Sequence, residues 1–349
     1  ERCIPLSVEN KDLCNIRTIT TFISLTKDKA NWPLAILKAS RFCADLSAEF
    51  VQQGYKVQSV RIVTNPFGEY LDTASAESAR NDLSYLSGLL NAPELSGIRV
   101  RFAIGEARTQ QEIKLLPVLI KEFGDLCNAC VNVERDAAGV LDNQLINSCA
   151  DAVTKISEIT PRGEGNFNFT INFNCDPLIP YFPASYHRKG YQDCFVIGLE
   201  TPDLLVEVVR DIKRNTILPD HNSQFNAYFE GMRGALQHHI SAINTIIEQS
   251  NHNKTFAFAG IDSSAAPSKD CSSMVEVYQL MGVEYFGASG TVEASALLTR
   301  VFKSIQGVEL VGFSGLMLAL TEDTGLALGT INGDFDIRAL LTYSAVCGI

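Results

Sequence analysis

GNFNFTINFN, residues 165–174, alternates without a break. On a strand, Phe167, Phe169, Ile171 and Phe173 share one face, while Asn166, Asn168, Thr170, Asn172 and Asn174 share the other. The apolar face needs helices packed against it. The amide face of a helix-covered sheet looks inward, where buried amides must find partners, so the alternation predicts a polar cavity inside an α/β protein. A proline-rich passage follows, ending in Tyr181-Phe-Pro-Ala-Ser-Tyr-His187. It leads into CFVIGLE, residues 194–200, an apolar run that reads as a second strand.

Outward from this pair, strand and helix patterns alternate along the chain. Strands are predicted at 16–25, 56–64, 98–104, 129–133, 166–173, 194–199, 255–261 and 308–311. Amphipathic helices are predicted between them. One opens at Asn31-Trp32-Pro33, where proline's missing N–H costs nothing, and closes at Gly54. Others are expected at 74–90, 110–123, 142–156, 202–214, 223–249, 271–281, 292–304 and 335–346. This order predicts a mostly parallel sheet with helices outside. Eight or more strands without a linker favour one closed or nearly closed domain over residues 1–349.

Bulk composition narrows the function classes. The 349 residues are 46% hydrophobic and 20% charged, with a net charge of −11; mean hydropathy is +0.06 and the isoelectric point is near 5.0. There is no basic run or zinc-finger spacing, so nucleic acid is not an expected partner. No apolar stretch is long enough to span a bilayer, and no membrane partner is expected. The ten cysteines are scattered singly through apolar elements, which suits free buried thiols and a cytoplasmic setting. Two glycosylation sequons begin at Asn168 and Asn253. The first falls inside a strand pattern, and both read as chance.

Polar residues gather where strands end: Ser24, Thr26, Asn65, Glu106, Glu134, Glu200 and Asp262. In parallel α/β folds ligands bind at the carboxyl ends of strands, so these positions form a predicted constellation. Each taken singly also suits a helix cap. Glu200 and Asp262 are the strongest candidates, as acid–base groups or as ligands of a divalent cation. His187 joins them because it lies between the asparagine strand and Glu200. Arg17, Arg61 and Arg101 sit among apolar strand neighbours and need either a carboxylate, such as Glu106 or Glu134, or an anionic ligand. Asn172, Asn174, Ser185, Tyr186, Ser263 and Ser264 are expected to orient a substrate. Glu322-Asp323 reads as a solvated turn with a metal role as the alternative. Gly287–Thr291 and Gly312–Gly315 match no nucleotide fingerprint, so no nucleotide cofactor is expected.

Five stretches together resemble the family of domain of unknown function 711, in order and over nearly the whole chain. They are IRTIT from Ile16, PASYH through GLE from Pro183, GIDSSAAP from Gly260, FGASGT from Phe286, and GFSG through TEDTG from Gly312. The resemblance implies a fold similar to pyruvate formate-lyase and other glycyl-radical enzymes, an α/β barrel of about ten strands. It implies no particular reaction. Glycyl-radical enzymes carry an Arg-Val-x-Gly-Tyr-like loop; here Leu310-Val-Gly-Phe313 lacks the arginine, so radical chemistry is not expected.

These readings favour a non-radical enzyme for a small polar, anionic metabolite, working by acid–base or divalent-metal-assisted chemistry. A hydrolase and a lyase or cyclase both fit. Oxygen ligands would suit Mg²⁺, Ca²⁺ or Mn²⁺. The alternative is a non-catalytic metabolite-binding or regulatory protein, which needs the arginines and asparagines but no acid–base pair. A homo-oligomer is compatible with either.

Overall fold

Valine, isoleucine, phenylalanine and threonine dominate seven segments, and side chains of this shape suit a pleated sheet. The structure, a computed structural model, describes residues 6–188, 190–250 and 255–348; the Asn253 sequon lies outside them. The strands are β1 (Asn15–Ile23), β2 (Val60–Thr64), β3 (Val100–Glu106), β4 (Asn128–Val133), β5 (Phe169–Phe173), β6 (Cys194–Glu200) and β7 (Ala257–Asp262). They form one sheet in the order β5-β4-β3-β2-β1-β6-β7, curled into a half-barrel.

Ten α-helices accompany the sheet among the described residues. Four follow the first four strands: α1 (Trp32–Gln52), α2 (Ala76–Leu90), α3 (Gln110–Phe123) and α4 (Asn143–Ile159). Then come α5 (Pro202–Asn215), α6 (His221–Gln249), α7 (Met274–Leu280), α8 (Thr291–Lys303), α9 (Thr324–Asn332) and α10 (Ile337–Cys347). Local chemistry sets their starts. Thr109 and Glu112 form a reciprocal capping box on α3, and Asp142 caps α4 through the N–H groups of Gln144 and Leu145. Helix α9 was not foreseen, because TGLALGTIN carries two glycines and little amphipathic contrast.

The convex face supplies the main core. Ile19, Ile62, Phe102, Val131, Phe169 and Ile197 pack there with helix residues such as Ile36, Leu116 and Ile156. The concave face is filled differently. Residues 174–188 leave β5 and dip into the hollow, and residues 190–193 lead back into β6. Thr20 Oγ1 donates to Pro180 O at 2.8 Å, and Tyr181 Oη bonds the backbone of Leu199. Gly198 is required beneath that ring, since a Cβ there would lie 2.8 Å from Tyr181 Cε1. Phe22, Val63 and Val196 close around Leu178 and Phe182 of this plug.

The plug explains why the sheet is not the closed barrel of about ten strands expected above. Its residues occupy the space that further strands would enclose. Residues 308–311, expected as a strand, make one isolated bridge, Ile261 to Leu310. The strand predicted from Asn166 starts only at Phe169, because β4 begins at Asn128 and its first neighbour on β5 is Phe169, opposite Ala129. Residues 161–168 coil instead into a 3₁₀ segment.

The sheet is also not parallel throughout. β1 to β5 run parallel, as do β6 and β7, but β6 pairs antiparallel with β1. Because the plug returns to the edge it left, β6 must run back down. The described cysteines are all free, and no helix among the described residues is long and apolar enough to cross a membrane.

Candidate functional site

Reversing β6 divides the strand-end residues that the sequence placed together. Phe22 lies opposite Cys194 and Asn15 opposite Glu200. Glu200 and Asp262, at the carboxyl ends of β6 and β7, therefore share an edge with the amino ends of β1 to β5. Asn65, Glu106 and Glu134 stand at the other edge. His187 is there too, with its ring 5.9 Å from that of Phe22. Seven residues of strand, roughly 20 Å, separate His187 from Glu200. The expected catalytic trio is not brought together.

At the His187 edge most side chains are spoken for. Arg188 forks onto Glu106 at 2.8 and 2.9 Å and reaches Glu134 at 2.7 Å. Ser185 Oγ donates to the carbonyls of Ile179 and Tyr181, and Tyr186 Oη to that of Cys175. Asn172 Nδ2 donates to Asn132 Oδ1 and Ala184 O, while Asn174 Oδ1 accepts from Arg135 N. These four predicted substrate contacts hold the plug and the strand ends. His187 is buried; its Nε2 lies 3.6 Å from Asp193 Oδ1 and makes no hydrogen bond among the described residues.

The other edge carries a cavity of about 730 Å³. Arg17, Arg61, Arg99 and Arg101 line one side, Asn128, Asn166, Asn168 and Thr170 another, and Phe182, Pro183, Thr321 and Glu322 complete it. That volume suits a small metabolite. Strand register assembles the arginines, for Arg61 on β2 is the direct neighbour of Arg101 on β3. Like charges side by side repel. Glu106 and Glu134, the carboxylates expected as their partners, are taken by Arg188.

Arg61 is only 5% exposed. Its Nε donates to Ser59 Oγ at 3.1 Å and its guanidinium lies 5.0 Å from the Phe182 ring centroid. Among the described residues neither Arg61 nor Arg101 forms an ion pair. Burial pushes the Arg61 guanidinium down to about 9, and the neighbouring Arg17 and Arg101 push the same way. Such a group favours an anion.

Arg17 is the half-buried member. Its Nη1 donates to Gln58 Oε1 and lies 3.6 Å from Glu200 Oε2, while Nη2 is 3.8 Å from Glu322 Oε1. Glu200 is 2% exposed and sits behind Arg17. Its Oε1 accepts from Asn15 and Gln58, and its Oε2 takes no hydrogen bond among the described residues.

Asp262 is wholly buried and meets three backbone donors. Oδ1 accepts from Ser264 N at 2.9 Å and Ser314 N at 3.1 Å; Oδ2 accepts from Phe313 N at 2.9 Å. Ser263 Oγ donates to Phe302 O, and Ser264 Oγ accepts from Gly315 N. Asp262 and Ser264 tie the β7 loop to residues 313–315, and Ser263 ties it to α8. Among the described residues no group of three or more His, Cys, Asp or Glu side chains stands ready to hold a metal ion.

Of the predicted residues, the cavity thus takes Arg17, Arg61 and Arg101, with Asn166, Asn168 and Thr170 of the asparagine face. Reading the strand ends missed Arg99 and Asn128, and Glu322, read as part of a solvated turn, stands at the cavity wall. Arg99-Val-Arg101 carried a signal, since alternate positions share a face.

The family model described as Uncharacterised ACR (DUF711) matches residues 8–349. The chain belongs to this family. Members similar to it include a UPF0210 protein of Pyrobaculum arsenaticum, 24% identical over 317 residues that cover 88% of this chain and 66% of the relative. A UPF0210 protein of Sulfurisphaera tokodaii is 21% identical, covering 84% and 65%. One of Carboxydothermus hydrogenoformans is 23% identical, covering 99% and 78%. This DUF711 chain spans about two thirds of the length of the first two curated relatives.

Proposed function

We propose that this chain captures a small anionic metabolite in the arginine-lined cavity. The observation that carries the reading is Arg61, a buried guanidinium beside Arg101, neither of which forms an ion pair among the described residues. A buried charge without a counter-charge is costly, and an anionic ligand supplies one. The metabolite-binding function rests on the arginines and asparagines alone, so it is the reading the geometry favours.

Catalysis by non-radical acid–base chemistry, as a hydrolase or as a lyase or cyclase, is the second reading. Glu322 on the cavity wall and the unsatisfied Oε2 of Glu200 behind Arg17 favour it. A divalent cation at Glu200 belongs to that reading. The kinship with pyruvate formate-lyase-like barrels is part of the proposal at the level of fold, with residues 1–349 as one domain in a cytoplasmic protein.

Calorimetric titration with small anions at low salt tests the capture. Glu322→Gln is expected to tighten binding severalfold, because the carboxylate 3.8 Å from Arg17 competes with the ligand. Its side chain is 54% exposed, so the effect stays modest. Weaker binding in Glu322→Gln would mean that this carboxylate contacts the ligand, as the second reading requires. Failure of every small anion to bind would refute capture.

A further inference from the structure

We propose that the anion taken by this cavity is a phosphate monoester of a polyhydroxy compound, with its phosphoryl group on Arg61 and Arg101 and its hydroxyls along the asparagine wall. This rests on the anion-capture reading and specifies the ligand class.

Two guanidiniums in register on neighbouring strands begin about 5 Å apart at the backbone, and Arg17 approaches the same end. A carboxylate presents two coplanar oxygens and one charge, which a single fork satisfies. A phosphoryl group presents three acceptor oxygens and a charge of about −1.5 to −2 at neutral pH. It answers several guanidiniums at once, without a second acidic group placed elsewhere on the molecule.

The opposite wall asks for donors. Asn166 Nδ2 is spent on Val153 O, and its buried Oδ1 has no hydrogen-bond partner among the described residues. Asn168 Nδ2 is spent on Gly124 O and Asn128 Oδ1, and Asn128 Nδ2 on Phe102 O. Asn168 Oδ1 accepts no hydrogen bond among the described residues, and Asn168 lines the cavity, so a ligand hydroxyl is a natural donor to it. From β3 to β5 is two strand spacings, about 10 Å, which is the reach of a sugar phosphate.

The test is titration of the full chain with glucose 6-phosphate, inorganic phosphate and succinate at pH 7.5 and low salt. Glucose 6-phosphate should bind about tenfold tighter than inorganic phosphate, with succinate weakest. Its affinity should fall severalfold by pH 5.5, below the second phosphate pKa of about 6. Arg101→Gln, at an exposed position, should weaken both phosphate ligands alike by about tenfold, the loss of one charge-assisted contact. Asn168→Ala should weaken glucose 6-phosphate alone. Thermal melts establish that both variants fold. Succinate binding as tightly as the phosphates would overturn the inference and leave anion capture standing. Glucose 6-phosphate binding no tighter than inorganic phosphate would also overturn it. Silence toward all three ligands would remove capture and inference together.

Discussion

Arg61→Met is expected to raise the stability of the ligand-free protein and to abolish its binding of anions. Methionine keeps an unbranched stem against Phe182, while the charge and its desolvation cost disappear. So does the repulsion with Arg101. Replacing a buried charged group by an apolar one of similar volume is often stabilising by about 1–4 kcal/mol. The loss of one hydrogen bond, to Ser59 Oγ, offsets about 1 kcal/mol of that. A saturating anion reverses the order, because a ligand at a hundred times its dissociation constant adds about 2.7 kcal/mol to the wild type alone. The pH dependence has a definite sign. Arg61 is pushed below its ordinary value to about 9, so its cost is fully present below pH 9. That cost is relieved as pH rises from there toward the ordinary arginine value. The gap between variant and wild type should be flat from pH 6 to 8 and narrow above 9. Urea unfolding with and without ligand measures all of this. A ligand-free Arg61→Met protein less stable than wild type by more than about 1 kcal/mol would make Arg61 a structural residue.

How much of this was legible in the residues depends on the range of the interaction that decides each point. Alternation from Phe169 to Phe173 is local, and β5 follows it with Phe169 and Ile171 outward and Asn172 inward. Asn166 to Asn168 obey the same alternation, yet a strand needs a partner and β4 has not begun there. CFVIGLE identifies a buried strand but reads equally well in either direction. Its orientation depends on how residues 174–193 travel, and nothing periodic in that passage records a return to the same edge. Hence the polar residues at the carboxyl ends of the strands were recognisable, and their division into two edges was not. The arginines show the same limit. A charged residue between valine and isoleucine announces that Arg61 needs a counter-charge. That Glu106 would be taken by Arg188, 82 positions away, is a fact of tertiary structure.

Asp262→Ala is expected to cost about 4 kcal/mol of folding stability, the largest loss of any single change considered, although this carboxylate has the sequence context of a catalytic acid. Removing it orphans the buried N–H groups of Ser264, Phe313 and Ser314, each worth about 1–3 kcal/mol when left unpaired. Gly312 packs against the same oxygen, since a Cβ there would collide with Oδ2 and its φ of +62° disfavours a side chain. Burial raises the Asp262 carboxyl above its ordinary range, and the Ser264 hydroxyl and the amide donors pull it part of the way back. With the folded value raised, ionisation works against folding. Asp262 contributes its full stability below the ordinary carboxylate range and loses part of it as pH rises through the folded value. The penalty of Asp262→Ala should therefore be greater at pH 4 than at pH 8. Asp262→Asn removes the buried charge, and its Oδ1 can still accept two of the three donors. Its amide nitrogen would then face the Phe313 N–H, so the cost falls between wild type and alanine. Urea midpoints at the two pH values measure the series. Anchoring also links this residue to function at a distance. The 312–315 loop that Asp262 holds leads on to Thr321 and Glu322 at the cavity wall, so a folded Asp262→Asn protein should bind anions more weakly while keeping the same order of preference among them. An Asp262→Ala protein with wild-type stability and no anion binding would place this carboxylate in the binding site itself.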